Sequence, residues 1–317
     1  MDRREFVIGA ALAVGVRGRL ARADWRSRIC LVTADLESRL VAVDIERGRV
    51  LRYVETLPYP RSIEAVGDDA VVAHSDVGAV SIVDGRRLSV RHVVRGFGEP
   101  RYTAAHPNGR HAFVSDAGRG EIVALDVVLG RVVGRVRVGP RARHVTIDWA
   151  GRTVVAALGS KAEEIAVVDV SKIGRPRLLR RFRPPFLAHD VGFAPDARHL
   201  WVSSGDRFEL AVYDVHTGRL LARPSGDWPP QHVTFSDQFA YVTSGWSGTL
   251  RVHRFNGHPG ATTPVPVGSY NVQQASGWVL TPSLRDGDLC VLDKGGRLLR
   301  QVKVARSSHD ACLVRGG

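Results

Sequence analysis

Four histidines, His144, His189, His232 and His309, occupy the same place in four similar stretches, RHVTID, AHDVGF, QHVTFS and SHDACL. Neutral imidazole nitrogen is a strong ligand for copper, zinc, nickel or iron. Three imidazoles with one position left open are the donor set expected of a catalytic metal centre. The three consecutive members lie tens of residues apart. They can meet only if a repeated architecture delivers one position of each repeat to a common axis. Three further stretches complete the column: RSIEAV places Ser62 there, RYTAAH places Tyr102 and YNVQQA places Asn271. Four histidines among seven places, in a chain with 12 histidines among 317 residues, is more than composition supplies.

The repeat that carries this column recurs about every 40 residues. Its clearest marker is an alternating apolar strand ending in aspartate: LVAVD at Asp44, VSIVD at Asp84, IVALD at Asp126, IAVVD at Asp169, LAVYD at Asp214 and LCVLD at Asp293, with LRVHR ending at Arg254 as the exception. Each marker is followed by a glycine-containing turn and a further strand, and is preceded by two more strands. Four short strands of period two per unit describe a propeller blade. The chain opens with three strands of the first unit and closes with one surplus strand at HDACLV, so the last strand completes the first blade and removes a free sheet edge. The sequence therefore predicts an all-β chain: a single seven-bladed β-propeller of four antiparallel strands per blade, without linkers or a second domain.

Over residues 27 to 314 the units resemble the YVTN family of bacterial seven-bladed propellers. Tyr241-Val242-Thr243-Ser244 and Phe113-Val114-Ser115-Asp116 come nearest to the signature strand, and Thr217-Gly218-Arg219 to the turn that follows. The resemblance implies a fold with many uses, among them oxidoreductase subunits and lactonase-like propellers. Histidine rings also line the seven-bladed copper propeller of nitrous oxide reductase. Here Ser62, Tyr102 and Asn271 stand where a full ring needs histidines, so that cluster does not carry over.

Propeller topology assigns the faces. Inner strands start at one face, and the loops joining second to third strands return to it, bringing Asp35, Asp76, Asp116, Asp206 and Trp246, with His74 just inside. The candidate metal ligands are His144, His189, His232 and His309, with copper or zinc as the ion. Tyr102, Asn271, Trp246 and Asp116 are the candidate contacts for a bound small molecule. Asp190 and Asp310 directly follow ring histidines, so strand alternation turns them to the other side, between blades, to brace loops. His106-Pro107-Asn108-Gly109 and Ala194-Pro195-Asp196 fall in turns of the opposite face, and the strand-ending aspartates are expected to accept turn N–H groups. No phosphate loop and no nucleophile elbow occurs, and no complete catalytic set can be named.

Residues 1–23, MDRREFVIGAALAVGVRGRLARA, read as a signal peptide: a charged start, an apolar run from Phe6 to Val16 and an Ala21-Arg22-Ala23 end. Arg3-Arg4 resembles the twin-arginine export signal. The apolar run is well short of the ~20 residues of a membrane-spanning helix. The expected mature chain, 24–317, is periplasmic or extracellular, without a transmembrane segment, and monomeric. Three cysteines are too few for a disulfide framework or a cysteine-based zinc site, and Cys30 and Cys312 fall one residue out of register on neighbouring strands. Removing residues 1–23 takes five arginines and two acidic residues from a net charge of +13, leaving +10. A polyanion or nucleic-acid partner is the alternative this charge raises. The arginines are spread over all blades rather than gathered in one run, and solvated charge is the simpler reading. A partner protein on a propeller face, and a metal-dependent oxidoreductase or lactonase-like hydrolase on the histidine face, are the remaining function classes.

Overall fold

The computed structural model describes residues 29–314; the proposed export segment lies outside the described residues. Strand alternation dominates because both faces of each inner strand pair are buried. Along Ile29–Ala34, for example, Cys30, Val32 and Ala34 pack into one cluster with Leu280 and Val291. Leu31, between them, packs into another with Ile63 and Val72. Residues of period two thus face two different neighbouring sheets, which is why these strands read as near-continuous apolar runs. The described residues form seven four-stranded antiparallel sheets, each a simple meander from inner to outer strand. Apolar clusters fill the space between successive sheets around the whole ring. The outer strands, such as Arg49–Glu55, are largely exposed. Each is displaced by a bulge against its neighbour, as between Ala42 and Val43 or between Ile82 and Val83, which adds twist to the blade's outer edge.

The first blade joins both ends of the chain. Ala311–Val314 pairs antiparallel with Ile29–Ala34, followed by Arg39–Asp44 and Arg49–Glu55. In that seam Cys30 is opposite Leu313 and Cys312 opposite Leu31, so the two thiols lie in different interblade clusters. The one-residue offset read from the sequence holds, and Cys30, Cys290 and Cys312 are all free and buried. The strand-ending aspartates behave as expected: Asp44 accepts from the N–H groups of Glu46 and Arg47, and Asp214 from those of His216 and Thr217. Gly48 and Gly218 close these turns at φ of 66° and 67°, a conformation that costs glycine least. No helix among the described residues is long and apolar enough to cross a membrane.

Candidate metal centre

The inner strands set the site. They are Ala311–Val314, Ser62–Val66, Pro100–Ala105, Val145–Ile147, Ala188–Phe193, Val233–Phe235 and Gln273–Ala275 in blades one to seven. A hydroxyl on the second strand of one blade repeatedly latches the start of the next. Ser115 Oγ donates to the Arg143 carbonyl, Ser203 Oγ to that of Gln231 at 2.5 Å, and Thr243 Oγ1 to that of Tyr270. Each latched carbonyl belongs to the residue just before His144, His232 or Asn271. The backbone at His144 is further fixed by the N–H of Ala157, donating at 2.9 Å. His189 is pinned differently. Ala188 and Ala162 exchange backbone hydrogen bonds of 2.7 and 2.8 Å, bringing the Ser160 carbonyl 2.9 Å from His189 Nδ1.

Three of the four predicted histidines come together. His144, His189 and His232 each offer a nitrogen, and these three atoms lie within 4.8 Å of one another. Ring centroids are 4.5 Å apart for His144 and His189, 4.7 Å for His144 and His232 and 5.5 Å for His189 and His232. With Nδ1–H of His189 donated to Ser160, its Nε2 keeps a free lone pair. His232 Nδ1 lies 3.4 Å from Asp190 Oδ2, the carboxylate–imidazole arrangement that orients metal-binding histidines. Its Nε2 lies 3.4 Å from the Tyr102 hydroxyl. Both nitrogens of buried His144 lack a hydrogen-bond partner, and a buried polar atom left without one is costly. Burial and the neighbouring imidazoles hold His144 well below the ordinary histidine range, and burial with His232 beside it takes His189 down to about 3. Both are neutral, the form that ligates.

His309 stands apart. Its Nδ1 lies 2.8 Å from the Arg61 carbonyl and 3.0 Å from the side-chain amide of Asn271, and its ring centroid is 6.3 Å from that of Tyr102. Tyr102 stacks at 4.3 Å from His144 and 5.3 Å from His232; burial pushes its phenol up to about 12, so it is a neutral donor. Asn271 joins His309 rather than the three-histidine group. Asp116 is taken up by backbone, accepting from the N–H groups of Gly98 and Glu99 in the connection that enters its blade and from that of Arg119 in its own loop. Trp246 is 66% exposed, with its ring edge-on to Tyr270. Among the remaining loop candidates, Asp35 holds Arg61 and the His309 N–H, Asp206 accepts from the N–H of Leu187, and His74 Nδ1 lies 3.1 Å from the Pro58 carbonyl.

Asp190 and Asp310 require a correction. They do brace blades, as strand alternation implied: Asp190 accepts from the N–H groups of Val191 and Val233, and Asp310 from those of Ala311 and Ile63. Both also line the central cavity, of about 310 Å³, together with Tyr102, His144, His232 and Glu64. The reason in blade five is a break in alternation: the pairing register shifts between Ala188 and Val191, so His189 and Asp190 need not point to opposite sides. Glu64, its carboxyl pushed up to about 7 by burial, takes a hydrogen bond from Gln273. It was not singled out in the sequence, although it follows Ser62 by two residues and so shares its side of the strand.

The fold and site are those of a seven-bladed β-propeller with a three-histidine cluster at the mouth of its central channel. No family model matches the chain. Among solved structures it is similar to a functionally unknown protein from Desulfotomaculum acetoxidans, with TM-score 0.78, 12% identity and coverage of 92% of this chain and 100% of that one. It is also similar to Kuenenia stuttgartiensis hydrazine synthase, with TM-score 0.66, 14% identity and coverage of 79% and 88%. A third is the dihydro-heme d1 dehydrogenase NirN in complex with DHE, with TM-score 0.65, 17% identity and coverage of 92% and 66%. At these identities the likeness is one of fold.

Proposed function

We propose that this chain is an exported YVTN-type propeller that binds one transition metal ion on His144, His189 and His232, with copper the first candidate and zinc the second. The observation that carries the reading is the group itself, three histidines whose donor atoms lie within 4.8 Å of one another, with neither nitrogen of buried His144 in a well-formed hydrogen bond. All-imidazole donors suit copper and zinc, and copper stands highest in the affinity order of the divalent first-row metals. His189 and His232 are each steered through Nδ1, by Ser160 and Asp190; Nε2 of His189 is left for the ion, and at Nε2 of His232 the ion takes the place of the Tyr102 hydroxyl. His309 is left out of the ligand set because only His144, His189 and His232 have donor atoms within 4.8 Å of one another.

Three protein ligands leave a further coordination position, the condition for catalysis at the ion. Export rests on the twin-arginine-like segment 1–23 and requires a mature start near Asp24. The polyanion alternative is weakened by pairing: Arg86 meets Asp68, Arg110 meets Asp126 and Arg223 meets Glu209.

The test is metal analysis, with N-terminal sequencing, of protein isolated from the exported fraction of its own host. About one copper or zinc per chain with a start near Asp24 is the expected result. A metal-free protein that takes up neither ion, or an intact Met1 on cytoplasmic material, contradicts it.

A further inference from the structure

The residues immediately preceding the ring column form a second pattern. On three consecutive blades they are arginines: Arg61 before Ser62, Arg101 before Tyr102 and Arg143 before His144. Burial holds Arg101 below the usual arginine range, and the nearby Arg143 and, less, Arg61 add to it. Two have acidic partners: Arg61 meets Asp35 at 3.2 Å, and Arg101 meets Glu99. These two also line a hollow of about 230 Å³ at the mouth. Arg143 is different. Among the described residues it has no carboxylate partner, its Nε is buried without a hydrogen bond, and its guanidinium carbon lies 5.8 Å from the Tyr102 ring centroid.

We infer that Arg143 and the Tyr102 hydroxyl hold a small oxyanion, a carboxylate or an inorganic oxyanion, against the open position of the metal on His144, His189 and His232. The inference rests on the metal reading above. Three neutral imidazoles bring no negative charge to a dication, and Asp190, the carboxylate nearest them, brings one. A divalent ion beside an unpaired guanidinium therefore leaves excess positive charge in a partly desolvated mouth, which an anion between the two relieves. Arginine suits this task because its planar fork meets two oxygens at once. Tyr102, already 3.4 Å from His232 Nε2, supplies a neutral donor on the same side.

Co²⁺-loaded protein makes both events visible, because the d–d spectrum reports the ion's ligands. Wild type and Arg143→Gln would be loaded with Co²⁺ and titrated with formate in one arm and phosphate in the other. The expected result is a spectral change with at least one of the two anions in the wild type. Affinity for that anion falls at least ~10-fold in Arg143→Gln, while Co²⁺ itself binds as tightly as before or tighter, since a neighbouring positive charge is gone. The arm that responds tells carboxylate from inorganic oxyanion. Equal anion affinity in both proteins, or no spectral response to either anion, overturns the inference and leaves the metal site standing. Failure of Co²⁺ to bind would instead overturn the metal reading. The arginine site is then decided on metal-free protein: phosphate must raise the melting temperature of the wild type and not of Arg143→Gln, and an equal rise or none in both counts against it.

Discussion

The two halves of the inner ring are built alike and used differently. Asp190 and Asp310 occupy equivalent positions and do the same structural work: each carboxylate accepts from the next residue's N–H and from an inner-strand N–H of the following blade, that of Val233 or Ile63. On the blade-five side the residue just before that donor is His232, and Asp190 reaches its Nδ1 at 3.4 Å. On the closing side the same place holds Ser62, whose Oγ donates to the Arg101 carbonyl. The imidazole of His309 is tied to Arg61 and Asn271, apart from the three histidines whose donor atoms lie within 4.8 Å of one another. A histidine in this column therefore does not join that group by position alone.

The sharpest way to break the contrast is to neutralise the paired carboxylates in turn. Asp190→Asn should cost 10- to 100-fold in metal affinity, the usual effect of losing the group that orients a metal-bound imidazole. Asp310→Asn should leave metal affinity unchanged. Each variant keeps one oxygen acceptor and loses another, so both should lose about 1 kcal/mol of stability, which shows that the difference in metal binding is not a difference in folding. Equal losses of metal affinity would erase the distinction between the two halves.

Most of the architecture was legible in the sequence because a propeller repeats its physics: two-faced burial writes period-two apolar runs, and Asp-turn-Gly punctuation recurs at LVAVD, IVALD and LAVYD. The surplus strand HDACLV showed closure for the same reason. The histidine column was legible as a column. Its division into three grouped histidines and one set apart was not, because that depends on cross-blade partners such as Ser160, Arg61 and Asn271, which no local pattern encodes. Asp190 was misread in part because a register shift at Ala188 interrupts the alternation on which its direction was based. Asp116 and Trp246 were placed at the right face by topology, but a loop's path is not periodic: Asp116 turns to the connection entering its blade, at Gly98 and Glu99, and Trp246 turns outward.

A smaller effect separates neutrality from ligation. His144 has a lowered affinity for protons in the folded chain, so its contribution is intact above the ~6.5 of an unfolded histidine and is lost as pH falls below it, because the unfolded chain gains a proton that the folded one refuses. Glu64 works in the opposite sense, its raised pKa favouring the folded chain as pH falls toward 5, and it is common to wild type and variant. In metal-free protein taken from pH 7.5 to pH 5, wild type should therefore lose up to about 2 kcal/mol more stability than His144→Gln, read from denaturant midpoints. His309, also held well below the ordinary range, should show the same behaviour in His309→Gln. Burial keeps imidazoles neutral in both halves, and neutrality alone does not make a metal site. Identical pH dependence in wild type and His144→Gln would show that residue 144 takes up a proton in the folded chain as readily as in the unfolded one.

The central claim is decided by calorimetric titration of metal-free protein with Cu²⁺ and Zn²⁺ at pH 7.5, on wild type, His144→Ala, His189→Ala, His309→Ala and His258→Ala, the last at an exposed turn. The account predicts one tight site in the wild type, a loss of at least ~100-fold, about 2.7 kcal/mol, for His144→Ala and His189→Ala, and affinities within a few-fold of wild type for His309→Ala and His258→Ala. Weak binding that is equal in all five proteins, or a loss at His309 as large as at His144, would contradict it.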